Sequence, residues 1–104
     1  MSSEVTVTIE VDGGLAALPG LARPFTVSTA DLPPDDARQL GRLVAESRFF
    51  ELPQQRGSAR PDARSYTITV KADGRSRTLT LSDPLPNAAL RQLVQLVERR
   101  RRAR

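Results

Sequence analysis

The sequence predicts an α+β fold: a four-stranded antiparallel sheet covered on one face by two helices, in the order ββα-ββα. Three observations predict it. Ser65 to Ser82 consists of two alternating apolar–polar runs around Asp73-Gly74, a pair suited to a two-residue hairpin turn. Glu4 to Val11 alternates in the same way. Two later segments, after Pro33 and after Pro86, repeat apolar residues at helical spacing. Each strand has one apolar face and each helix one apolar stripe, and a two-layer stack buries them all.

In chain order, Val5, Val7, Ile9 and Val11 share one face of the first strand, and Glu4, Thr6, Thr8 and Glu10 share the other. Asp12-Gly13-Gly14 ends it, and Pro19-Gly20 keeps the apolar stretch Leu15 to Ala22 out of regular structure. Arg23 to Thr29, with Phe25 and Val27 on one side, reads as the returning strand. Pro33-Pro34-Asp35-Asp36 suits a helix start. Proline in the first turn loses no hydrogen bond, and the carboxylates face the positive end of the helix dipole. Ala37, Leu40, Leu43 and Val44 form its stripe, Arg38, Arg42 and Glu46 point outward, and Phe49-Phe50 plugs the end of the core.

Gln54 to Arg64 is a long polar loop. In the hairpin that follows, a two-residue Asp73-Gly74 loop pairs Ala72 with Arg75, Val70 with Arg77, Ile68 with Leu79 and Tyr66 with Leu81. A one-residue slip would turn every apolar side chain to water, so this register is strongly specified. In the second helix Leu90, Leu93, Val94 and Val97 form the buried stripe, with Leu96 at its edge.

Composition narrows the chemistry. With 104 residues the chain suffices for one domain. It contains neither Cys nor His, which removes disulfides, thiolate metal sites and the commonest general base and metal ligand. No metal or cofactor is expected, and no Ser or Thr has a histidine partner for nucleophilic catalysis. Sixteen basic residues face twelve acidic ones, for a net charge of +4. Removing Arg99, Arg100, Arg101, Arg102 and Arg104 with Glu98 leaves 11 of each sign in residues 1–97. The domain therefore reads as residues 1–98, with 99–104 a basic tail that frays into solvent and contributes nothing to folding. The start of the chain shows no basic and apolar leader pattern, and a cytoplasmic location is expected.

Taken together, these segments are familiar. The first strand leads to Gly13-Gly14-Leu15-Ala16, and then come Asp31-Leu32-Pro33 and Phe49-Phe50-Glu51-Leu52-Pro53. Pro61 to Val70, Asp73-Gly74, Ser82-Asp83 and a leucine-rich helix follow in that order. The chain resembles the emfourin family, small bacterial protein inhibitors of protealysin-like metallopeptidases of the thermolysin (M4) type. Asp12 stands where the family more often has Ser, Leu15 where it has an aromatic residue, and Arg64 where an aromatic precedes the Tyr by two.

The resemblance implies a non-enzymatic inhibitor whose partner is a protealysin-like M4 metallopeptidase encoded by a neighbouring gene. Its contact residues would lie on two loops that look longer than their connections need. The first offers Asp12, Gly13, Gly14, Leu15 and Leu18 to an apolar pocket, and the second offers Arg56, Arg60, Asp62 and Arg64 to its rim. A second reading is an adaptor or nucleic-acid-associated module using the arginine tail. Against it stand the neutral body and the commitment of Phe25, Phe49, Phe50 and Tyr66 to the core, which leaves no stacking platform. A third is a small enzyme relying on Asp and Glu alone.

Overall fold

The structure, a computed structural model, describes residues 4–13, 24–53, 64–82 and 85–102. They form β1 (Val5–Gly13), β2 (Phe25–Ser28), α1 (Pro34–Ser47), β3 (Arg64–Ala72), β4 (Arg75–Ser82) and α2 (Ala88–Arg102). The sheet is antiparallel throughout, in the order β2-β1-β3-β4, so two hairpins join through a central β1–β3 pair. The β3–β4 register is the expected one, with Ile68 opposite Leu79 and Tyr66 opposite Leu81. Asp73 and Gly74 both take positive φ, 54° and 75°, as a two-residue turn of this hand requires.

One face of the sheet is apolar and covered. Val7, Ile9, Val27, Tyr66, Ile68, Val70, Leu79 and Leu81 meet Leu40, Leu43 and Val44 of α1 and Leu90, Leu93, Val94, Leu96 and Val97 of α2. Leu96 is as buried as the rest of its stripe, because α2 packs against both α1 and the sheet and so buries two adjoining sides. The other face carries threonine hydroxyls, with Thr8 paired to Thr26 and Thr69 to Thr78, each at 2.9 Å.

Helix α1 starts at Pro34 with Asp35 and Asp36 in its first turn, and Ala37 N–H donates to the Pro33 carbonyl at 2.8 Å. It ends at Arg48, whose left-handed backbone (φ 55°) turns the chain into a 3-10 turn over Phe49–Glu51. The adjacent phenylalanines separate there. Phe49 is fully buried, whereas Phe50 is half-buried and lies edge-on to it beneath the Arg75 guanidinium, 4.3 Å from its ring centre.

The helices run antiparallel and are tied at both ends. Asn87 caps two of them with one side chain: Oδ1 accepts from Leu90 N–H at 2.8 Å, and Nδ2 donates to the Ser47 carbonyl at 3.1 Å. Asn87→Ala removes both bonds and leaves the Ser47 carbonyl without this donor. The expected cost is about 1–3 kcal/mol, read from urea unfolding; an unchanged midpoint would show that neither cap contributes.

At the opposite end Arg100 of α2 reaches Asp36 of α1 at 3.5 Å, and Arg101 pairs with Glu98 at 3.5 Å with 16% of its side chain exposed. Arg99 to Arg102 are thus a continuation of α2 rather than a frayed end. Four cations in the last turns suit the negative end of the helix dipole. Deleting residues 99–104 is therefore expected to destabilise the fold by about 1 kcal/mol, a small but measurable drop in melting temperature.

Candidate functional site at the loop end of the sheet

The β-ladder places the roots of the two candidate loops side by side. Gly13, the last residue of β1, pairs with Arg64, the first of β3, and Asp12 pairs with Ser65. Neighbouring strands lie about 4.8 Å apart, so residues 14–24 leave and residues 54–63 arrive at nearly the same point. Ser65 in turn pairs with Ser82, which brings the connection into α2 to the same end of the sheet. Of the residues proposed for contact, Asp12, Gly13 and Arg64 are placed here by their backbone. Gly14, Leu15, Leu18, Arg56, Arg60 and Asp62 lie outside the described residues.

The two loops differ in why they are long. β2 pairs only with Thr6 to Ile9, so Glu10 to Gly13 continue four residues past the β1–β2 ladder, paired with β3 on their other side. A return from Ile9 to Phe25 needs only a tight turn; the longer excursion has no role in that pairing. The second loop has a structural reason for its length. The Phe49 carbonyl accepts from Arg77 Nη1 at 3.1 Å, and Arg77 faces Val70, six residues along β3 from Arg64. The chain leaving this point therefore has roughly 20 Å of sheet to travel before the start of β3. Length alone marks the first loop as unusual and not the second.

The third connection escaped the sequence reading as a neighbour of this site. Leu85 is buried in the core, its carbonyl lies 3.5 Å from Arg91 Nη1, and Asn87 holds the start of α2. An Asn three residues before the first buried Leu was the available signal. Together these anchors fix the start of α2 against the end of α1.

Two surface hollows lie at the other end of the sheet. A groove of about 760 Å³ follows α1 past Val5, Thr29, Ala37, Gly41 and Arg42. A smaller hollow of about 390 Å³ lies by the hairpin turn, among Glu4, Lys71, Asp73 and Arg75. Neither includes a residue from the loop roots. Among the described residues no group of three His, Cys, Asp or Glu side chains is placed to hold a metal ion.

Comparison with known proteins adds identity to this geometry. A family model described as Emfourin matches residues 9–98. Among solved structures, the chain is similar to emfourin (M4in) from Serratia proteamaculans, an M4 family peptidase inhibitor. The two share 18% identity over 86% of this chain and 85% of that one, with a TM-score of 0.47. No curated protein sequence matches. The family match runs from the middle of β1 into α2, and the chain belongs to the emfourin family.

Proposed function

We propose that this chain is a non-enzymatic inhibitor of a protealysin-like M4 zinc metallopeptidase, and that it blocks the enzyme's cleft with the loops rooted at Gly13 and Arg64. Membership of the emfourin family supports the inhibitor role. The observation that carries the loop assignment is the Gly13–Arg64 pairing, which gives two separate segments a common base on a rigid sheet. A preformed base lowers the ordering cost of binding, and an inhibitory complex of this kind buries about 1,600 Å² in total. Glycine at 13 and 14 lets main chain approach a cleft closely. With no His or Cys in the chain, inhibition proceeds by occlusion rather than by a His or thiolate ligand to the zinc. The proposal extends to a bacterial, cytoplasmic setting and to a target encoded by a neighbouring gene.

The arginine-tail alternative is less well supported. Two of its members, Arg100 and Arg101, are engaged with Asp36 and Glu98, which offsets charge otherwise offered to phosphates.

The test is Leu15→Asp and Arg60→Glu, each checked for folding by circular dichroism and for inhibition of an M4 peptidase from the same genome. Both variants are expected to fold, with inhibition weakened roughly tenfold or more. Two folded variants that inhibit like wild type would overturn the loop assignment. A Leu15→Asp variant that fails to fold would instead place Leu15 in the core.

A further inference from the structure

The two edges of the sheet are not alike. β2 is four residues long and gives way at once to a 3-10 turn, so that edge is short, one of the ways natural sheets limit unwanted pairing. β4 is eight residues long, contains no proline, and keeps an unbroken register with β3 from Arg75 to Ser82. Because Ala72 and Arg75 flank a two-residue turn, they form a hydrogen-bonded pair, and the pattern then alternates. The N–H and C=O groups of Arg75, Arg77, Leu79 and Leu81 point to β3, and those of Ser76, Thr78 and Thr80 point out of the sheet. These three residues are exposed and uncharged. Among the described residues, no backbone hydrogen bond outside the ladder engages them.

We propose that β4 is a self-association edge, on which a second copy of this chain adds its own β4 antiparallel about a two-fold axis at Thr78. That register sets Thr78 against the partner's Thr78 and Ser76 against the partner's Thr80, so Ser76, Thr78 and Thr80 all exchange hydrogen bonds. On the other face Arg77 falls opposite the partner's Leu79, and Arg75 opposite the partner's Leu81. No arginine faces an arginine, although both charges sit in one half of the strand. A closed two-fold contact of this kind stops at the dimer and produces a continuous eight-stranded sheet. The antiparallel pairing sends the two Ser82 ends in opposite directions, which leaves both loop clusters free for a peptidase.

The sedimentation measurement needs no peptidase and so stands apart from the inhibitor reading. Wild type, Thr78→Glu and Thr78→Lys are compared by sedimentation velocity up to high micromolar concentration, with circular dichroism as the control for folding. Thr78 lies on the exposed threonine face, where substitution leaves the core intact. Wild type is expected to dimerise. Each variant alone places like charges directly opposite and is expected to associate roughly fivefold or more weakly. An equimolar mixture of the two is expected to recover the dimer, because Glu then faces Lys. Thr80→Pro, which removes only an outward N–H, should be folded and monomeric. A wild type that is monomeric throughout, single variants that dimerise like wild type, or a mixture that stays monomeric would each overturn the proposal. A monomeric wild type whose Thr80→Pro variant loses inhibition would assign the edge to the peptidase instead.

Discussion

Leu79→Ala is expected to lower folding stability by about 2–5 kcal/mol. Leu79 is 1% exposed, pairs with the fully buried Ile68 across the β3–β4 ladder, and belongs to the single core that both helices cover. Truncation removes apolar surface from that core and leaves a cavity beneath the two helices. For a domain of this size each kcal/mol is roughly 4–8 °C in melting temperature, so a shift of ten degrees or more is expected. A variant that melts with wild type would mean that Leu79 does not sit at the centre of the packing.

Phe49→Ala is expected to cost about 3–5 kcal/mol, and Phe50→Ala no more than about 1–2 kcal/mol. The difference arises from their places on the turn after α1. Phe49 has no exposed surface, and its carbonyl is held by Arg77. Phe50 keeps part of its ring in solvent under the Arg75 guanidinium, a contact worth about 0.5–1 kcal/mol at an exposed site. Urea unfolding of the two variants gives the order directly, and equal losses would show that the pair acts as one plug.

That pair marks where the sequence stops being informative. Side-chain alternation and a two-residue turn were enough to set the β3–β4 register, because a slip by one residue exposes five apolar side chains. The helical stripes likewise identified the core faces of α1 and α2. Two adjacent phenylalanines carry no such period, and it is past the left-handed Arg48 backbone that Phe49 turns inward and Phe50 does not. The end of α2 was misjudged for a related reason. The apolar stripe stops at Val97, but arginines continue a helix through good intrinsic propensity, a favourable dipole and, at Arg100, an acidic partner on α1. At the loop end, β1 runs to Gly13 and β3 begins at Arg64. That Gly13 and Arg64 are neighbours follows from the β1–β3 pairing, a contact between residues 51 positions apart that no local pattern encodes.

The uneven pairing of β1 also bears on how such a protein can change. Its inner edge is locked to β3 along its whole length, while its outer ladder with β2 stops at Ile9. Residues inserted or removed between Gly13 and Phe25 alter no bond in either ladder, and doubling a flexible loop costs only about 0.6 kcal/mol of closure entropy. A lineage can therefore lengthen, shorten or rewrite this segment without renegotiating the stability of the sheet that carries it.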